Sequence, residues 1–434
     1  MKNKKLWLIF PAAAVFALAV LLAVGLILRP SPPDGLAVDD LGVLYWEGDD
    51  RATSYTVDID GKIYTTDVWY MDIFDITDEY KTYTVTVTAK GFLGFKMAKT
   101  ISYDLPVLPE DAFIFTLKSD ESGFNVALNP DVAVGGKVII PSSHDGKPVT
   151  GVAGFGFESR QDLTSVFLPD SITYIGSEAF AVDKNLQRIR FSENLNAIGK
   201  EAFLGCMSLG KIIFPESLRD VYDRAFFGCQ LKEIYFQGNT NVGFDVFYGN
   251  AIDHFTVSPN GSVLPASSFD YFIGNTPMPV ICPSTAFYSD TSDNIHGVIH
   301  GVIYTDAKTI PANWRVIKDG LFDESPRNPI FLNCTFEGVG ADMYLTSLTH
   351  TRIECSPDFL HGGAFDCGPY RKGYTFVGWT TKKGDTKVEY TMEQLLSKTP
   401  PHNWPYEYSP VRQPIVPYST TLYPIWEKIK TYDK

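Results

Sequence analysis

Leu163-Thr164-Ser165-Val166-Phe167-Leu168-Pro169-Asp170-Ser171-Ile172-Thr173-Tyr174-Ile175-Gly176-Ser177-Glu178-Ala179-Phe180 decides the fold, because the chain repeats its apolar skeleton on either side. Phe157, Phe180, Phe203 and Phe226 lie 23 residues apart, and so do Val152, Ile175, Ile198 and Val221. Ala179, Ala202 and Ala225 each precede one of those phenylalanines. Val166, Ile189 and Ile212 open the units, followed two residues on by Leu168, Phe191 and Phe214, and Leu186, Leu209 and Leu231 close them. The pattern runs from about Val138 to Phe255. A fixed period of this length is the signature of a solenoid, in which one short supersecondary unit stacks on copies of itself.

Within a unit, an apolar pair two residues apart, such as Val166 and Leu168, reads as a β-strand with both side chains turned inward. The residue between them is expected to point out. Stacking then aligns those outward residues into a column, Phe167, Arg190, Ile213 and Tyr235, beside a second column of Ser165, Arg188, Lys211 and Glu233. An exposed row of Phe, Arg, Ile and Tyr has the composition of an interface. Phe167, Arg190, Ile213 and Tyr235, with Arg188 and Lys211, are therefore the candidate ligand-binding residues. The competing reading is that they are ordinary cross-strand pairs supporting the sheet.

The chain has 434 residues, enough for several domains, and a net charge of −14. The acids fall outside the N-terminus, where Lys2, Lys4, Lys5 and Arg29 stand without an acidic neighbour. An acidic remainder without clustered Lys and Arg argues against nucleic acid as a partner. After the first lysines, Leu6 to Leu28 form 23 residues free of charge. As a helix this run would be about 34 Å long, sufficient for the ~30 Å hydrocarbon core. The lysines before it favour a cytoplasmic N-terminus, with the bulk of the chain outside. A cleaved signal peptide is the competing reading, but its apolar region is shorter and ends in small residues, whereas this run ends Leu26-Ile27-Leu28-Arg29-Pro30.

Export permits disulfides. Of the six cysteines, Cys206 and Cys229 are one repeat apart and read as a buried apolar ladder. Cys282, Cys334, Cys355 and Cys367 leave their pairing open, with Cys355 and Cys367 near enough in sequence for a local bridge.

The expected fold class is mainly β and multidomain. Residues 1–30 form a cytoplasmic stub and transmembrane helix, and 35–106 a β-sandwich. Residues 110–260 form a solenoid capped by strands over Phe113–Ile140, 261–335 are degenerate repeats or a cap, and 336–434 are a small β-grasp-like module. The sandwich rests on short runs rich in β-branched and aromatic residues, punctuated by turns such as Asp60-Gly61. Gly35-Leu36-Ala37-Val38, Val43-Leu44-Tyr45-Trp46, Tyr55-Thr56-Val57 and Tyr83-Thr84-Val85-Thr86-Val87 resemble a fibronectin type III domain. The resemblance implies that Trp46 and Tyr83 are core residues. In the repeats, Ile140-Pro141-Ser142, Gly146-Lys147-Pro148-Val149-Thr150, the Leu163–Phe180 string and Gly199-Lys200-Glu201-Ala202-Phe203-Leu204-Gly205-Cys206-Met207-Ser208-Leu209 resemble the BspA-like leucine-rich repeats of bacterial surface proteins. That resemblance implies surface adhesion or ligand binding rather than catalysis. Near the C-terminus, Gly373-Tyr374-Thr375-Phe376-Val377-Gly378-Trp379 and Thr420-Thr421-Leu422-Tyr423-Pro424-Ile425-Trp426 resemble the two halves of a Listeria–Bacteroides repeat, lengthened between them by Lys398 to Pro417.

No cofactor or metal is expected. Asp58-Ile59-Asp60-Gly61 lacks the remaining ligands of a calcium loop, and reads as a hairpin turn. Asp72, Asp75, Asp78 and Glu79 read as a solvated acidic loop. His296 and His300 enclose Gly297-Val298-Ile299, which favours a strand or turn over a metal-binding helix. Trp404, Tyr406 and Tyr408 offer rings to sugars but read better as a packed insertion. The expected function is that of a membrane-anchored binding or adhesion protein of the bacterial cell surface, not an enzyme, whose partner is a host or bacterial surface protein or glycan. One alternative is an exported cell-wall enzyme drawing on Asp319, Asp323 and Glu324, whose geometry nothing fixes. Another is a structural spacer presenting the C-terminal module.

Overall fold

The computed structural model describes residues 20, 23–24, 27–109, 111–257, 263–264, 278–281, 287–288, 301–306, 330–337, 344–349, 368–371, 373–396 and 419–429. The chain divides into two compact units, one from Met1 to Val107 with Lys428–Lys434, the other from Leu108 to Glu427.

The first unit holds seven strands: β1 (Asp34–Val38), β2 (Val43–Glu47), β3 (Ala52–Ile59), β4 (Lys62–Thr66), β5 (Tyr70–Asp72), β6 (Thr82–Gly91) and β7 (Lys96–Asp104). They form two antiparallel sheets, β1-β2-β5 and β4-β3-β6-β7. Alternation makes the core. Tyr83, Val85, Val87 and Ala89 of β6 are buried, as are Tyr55, Val57 and Ile59 of β3. Trp46 of one sheet is also buried and meets Tyr55 of the other, ring centroids 5.2 Å apart. The Tyr83 hydroxyl accepts the Glu79 N–H at 2.9 Å and donates to the Glu79 carbonyl at 3.2 Å, a tyrosine corner at the start of β6. Asp60 and Gly61 turn β3 into β4 with φ of 49° and 89°. Asp58 accepts the Gly61 N–H within the turn, and Asp60 accepts the Thr84 N–H of β6, so one carboxylate closes the hairpin and the other ties it to the neighbouring strand.

The second unit opens with the hairpin of β8 (Phe113–Leu117) and β9 (Phe124–Leu128), followed by β10 (Gly136–Ile139). From there the chain winds as a solenoid with parallel ladders on two sides. One ladder runs from β9 through Lys147–Val152, Tyr174–Ile175, Ala197–Ile198 and Asp220–Val221 to Asn241–Val242. The other begins with β10, Leu163–Phe167 and Arg188–Arg190. It resumes as a separate sheet with Lys211–Phe214, Glu233–Phe236 and His254–Val257. The core between the ladders contains the period-setting residues. Phe157, Phe180, Phe203 and Phe226 are buried with successive ring centroids at 4.9, 5.0 and 4.8 Å, the first pair tilted and the next two stacked, and Phe247 continues the column at 6.1 Å. Phe191, Phe214, Phe236 and Phe255 form a second column at 5.9, 4.6 and 5.7 Å. Cys206 and Cys229 are buried free thiols.

The parallel sheet does not stop where the sequence period fades. It runs on through Met278–Ile281 and Gly301–Thr305 to Ile330–Glu337, then turns antiparallel into Tyr344–Thr349 and Thr421–Lys428, with Tyr374–Thr380 at its edge. The strand Ile330–Glu337 pairs with Gly301–Thr305 on one side and Tyr344–Thr349 on the other, so one sheet runs from the solenoid into the last strands. Trp379 is buried in their core with Tyr304, Leu348, Met392 and Leu422, and its indole N–H donates to the Met392 sulfur at 3.0 Å.

No helix among the described residues is long and apolar enough to cross a membrane. Leu6 to Leu28 fall largely outside the described residues, as do His296, His300, Asp319, Asp323, Glu324, Cys282, Cys355, Cys367, Trp404, Tyr406 and Tyr408.

Each turn of the solenoid steps through the left-handed region beyond its phenylalanine, at Ser159, Val182, Gly205, Gly228 and Gly249. Three of the five are glycine, for which this conformation carries no steric penalty. Val182, with φ of 63°, is β-branched and strained there. Val182→Gly is expected to raise unfolding stability by roughly 0.5–1 kcal/mol, the relief of left-handed strain exceeding glycine's added chain entropy. Denaturant titration checks the sign.

Candidate functional site

The candidate residues lie on the strands Leu163–Phe167, Arg188–Arg190, Lys211–Phe214 and Glu233–Phe236. Register pairs Phe167 with Arg190, Ser165 with Arg188, Ile213 with Tyr235 and Lys211 with Glu233, so the two columns read from the sequence exist as aligned pairs. Their exposure differs from expectation. Phe167 is 6% exposed and Tyr235 only 1%, while Ser165 is fully buried. Arg190 is half-buried. Only Ile213, at 38%, is open among the four of the first column.

The physical reason is that long neighbours fold down over the rings. The Arg190 guanidinium lies 4.8 Å from the centre of Phe167, and Lys137 approaches the same ring at 5.9 Å. Arg190 is anchored by Asp170 at 2.6 Å and by the Leu168 carbonyl at 2.7 Å. Burial works against ionisation of Asp170. The Arg190 bond and the Glu193 N–H outweigh it and hold the carboxyl below its usual range. Lys211 lies 4.7 Å over Tyr235 and pairs with Glu233 at 3.1 Å. The Tyr235 hydroxyl donates to the same carboxylate at 3.1 Å, and burial pushes that phenol's pKa upward. Tyr370, from far along the chain, stands 6.0 Å from Tyr235 and 5.0 Å from His254.

The face thus resolves into two cation-over-ring clusters, Phe167–Arg190–Lys137 and Tyr235–Lys211–Tyr370, with Ile213 between them. The backbone ladder breaks at the same place, since Arg188–Arg190 and Lys211–Phe214 belong to different sheets. Arg188 is half-buried beside the break. Among the described residues, no group of three or more His, Cys, Asp or Glu side chains is placed to hold a metal ion.

Sequence reasoning missed Asp170 and Tyr370, which anchor or cover the columns without belonging to them, and Lys137, which continues the second column one strand earlier in register with Ser165. It also missed aromatics at the corners of the turns. Tyr222 and Phe244 are 51% and 55% exposed, and Phe227 stacks on Tyr248 at 4.8 Å beneath Arg224. In other turns the positions of Tyr222 and Phe244 hold Gly176, Gly199, Ser177 or Lys200, and that of Phe227 and Tyr248 holds Ala181 or Leu204, so no periodic signal marked them.

Residues 150–274 match the BspA type leucine rich repeat region in six copies. The repeat core of this chain is BspA-like. Searching the curated proteins returned no match. Among solved structures, a Treponema pallidum leucine-rich repeat protein is 29% identical over 36% of this chain and 71% of its own, with a TM-score of 0.30. A Bacteroides capillosus leucine-rich repeat protein is 27% identical over 30% of this chain and 98% of its own, TM-score 0.28. A leucine rich cell surface protein of Faecalibacterium prausnitzii is 18% identical over 45% and 60%, TM-score 0.28.

Arg190→Ala removes the Asp170 bond and uncovers Phe167 together. It is expected to cost about 1–2 kcal/mol, while Ile213→Ala, at a more open site, stays within about 0.5 kcal/mol. Chemical denaturation of both variants measures the difference.

Proposed function

We propose that this chain is an extracytoplasmic binding or adhesion protein that recognises a host or bacterial surface protein or glycan through the solenoid face centred on Ile213. The observation that carries the proposal is the arrangement at the ladder break. There an exposed aliphatic side chain is flanked by two cations, Arg190 and Lys211, already held in place over aromatic rings. Pre-ordered side chains lose little entropy on binding. An apolar centre bordered by held charges is the layout of an interface hot spot. Arg188 adds a third cation beside the break. Phe167 and Tyr235 serve as the platforms that position the cations rather than as contact residues. A surface-protein role also agrees with the BspA-like repeat core, whose kin are typically binding or scaffold proteins rather than enzymes.

The chain is further read as a single-pass protein of the bacterial cell membrane, anchored through Leu6 to Leu28 with its bulk outside. Support comes from the uncharged run behind Lys2, Lys4 and Lys5. The first unit is read as a fibronectin type III-like sandwich, supported by its three-plus-four strand arrangement and the tyrosine corner at Tyr83. The C-terminal strands are read as a Listeria–Bacteroides repeat-like module, supported by Trp379 in its core.

The full chain, solubilised in detergent, should capture a partner from host or bacterial surface extracts or from a glycan array. Ile213→Asp combined with Lys211→Ala should weaken that capture by roughly tenfold or more with the thermal transition retained. Equal capture by the variant and the parent would remove this face from the function.

A further inference from the structure

One position of the repeat stays polar or sulfur-bearing from turn to turn. Three residues after the stacked phenylalanine stand Arg160, Asp183, Cys206, Cys229 and Asn250. The last three make the same bond. Cys206 Sγ donates to the Phe180 carbonyl at 3.0 Å, Cys229 Sγ to the Phe203 carbonyl at 2.9 Å and Asn250 Nδ2 to the Phe226 carbonyl at 2.8 Å. In each case the donor reaches the phenylalanine carbonyl one turn back. Thiol and amide differ in shape and chemistry, yet both supply a hydrogen to that slot.

Asp183 occupies the slot one turn earlier and is fully buried. Its Oδ1 accepts the Arg160 N–H at 2.6 Å, and its Oδ2 is buried with no hydrogen-bond partner. By the repeat, the carbonyl one turn back is that of Phe157. An ionised carboxylate has no hydrogen to give, so two acceptors would face each other in a site without water contact. A carboxylic acid supplies the missing donor.

We propose that Asp183 serves this ladder as a neutral carboxylic acid donating toward the Phe157 carbonyl, which makes it a pH-sensitive latch in the early turns of the solenoid. The charged groups around it are consistent with that state. From the preceding turn come Glu158, Arg160 and Asp162, and from the following turn the neutral thiol of Cys206. The Arg160 guanidinium is committed elsewhere, to Asp162 at 2.9 Å and to the carbonyls of Asn129 and Val132. Burial is the main cause that raises the Asp183 carboxyl to about 8, with Asp162 and Glu158 adding to it, against the N–H and charge of Arg160. Arg160 conversely holds Asp162 down at about 2.

An unfolded Asp releases its proton near pH ~3.9, whereas folded Asp183 keeps it up to about 8. Between those values the folded state binds one more proton than the unfolded state, so stability falls as pH rises through the window and levels off above it. The Asp162–Arg160 pair contributes its full share above pH ~4 and adds no slope there.

Thermal unfolding of the repeat core in the full chain, followed by circular dichroism from pH 5 to pH 9, tests the latch. Asp183→Asn places in this slot the donor that Asn250 already supplies in another turn and keeps an amide oxygen for the Arg160 N–H. It should flatten the fall in Tm seen for the parent chain, and at pH 9 it should melt higher by roughly 5 °C. The proposal is overturned if the parent chain shows no fall in Tm from pH 5 to pH 9. It is equally overturned if Asp183→Asn keeps the parent slope, melts lower than the parent at pH 9 or fails to fold.

Discussion

The spacing between parallel strands governs this structure. Backbone hydrogen bonding sets neighbouring strands about 4.8 Å apart, and the phenylalanine column repeats at 4.8–5.0 Å over its first four members. Ring stacking and strand pairing therefore demand the same rise per turn. Neither compromises the other, so one large side chain per turn fills the interior without a change of backbone. Where a turn is shortened, the agreement loosens. Phe247 follows Phe226 after 21 residues instead of 23, and its ring sits 6.1 Å away. The second column, Phe191 to Phe255, then carries more of the packing, with Phe236 and Phe214 at 4.6 Å.

The same rise dictates the polar interior. The carbonyls of Phe180 and Phe203 each accept a backbone N–H of their own turn, and the side-chain donor of the next turn supplies a second bond. Cysteine, asparagine and a protonated aspartate are three answers to one geometric demand. Their variety explains why the column holds no single residue type along the chain, although Cys206, Cys229 and Asn250 meet the backbone in the same way.

The core was legible in the sequence because apolar residues at a fixed period announce themselves. Val152, Ile175, Phe180 and Phe203 are buried where the period places them. The strand register was legible too, since equal spacing aligns Phe167 with Arg190 and Ile213 with Tyr235. Exposure was not. Whether a strand's outer side chain meets water depends on what lies over it; Tyr370 comes from a segment with no periodic relation to the column, and Lys137, though in register with Ser165, stands 28 residues before it rather than 23. The cysteines drew notice as a pair, but Asp183 and Asn250 escaped because the shared property is a donor hydrogen rather than a residue type. The continuation of the sheet into Tyr344–Thr349 and Thr421–Lys428 also left no local mark, because antiparallel pairing across that many residues is fixed by tertiary packing.

A solenoid face is often treated as a uniform surface, yet here covering side chains narrow it to a small window. Two rings that composition alone would nominate as contact residues are instead roofed by cations and spent on holding them. The cations lose mobility to their carboxylate partners, Arg190 to Asp170 and Lys211 to Glu233. The Lys211–Glu233 pair is partly exposed and adds little stability, so its main effect is positional, whereas the more covered Arg190 both stabilises the fold and is held in place. They fix charge at set distances on either side of Ile213, where the hydrogen-bonded ladder is already interrupted. Strand pairing is continuous on the opposite side of the same turns, which leaves that side without a comparable break. The asymmetry between the two sides is why the Ile213 face, rather than the repeat as a whole, is the part of the solenoid with a distinct chemical identity.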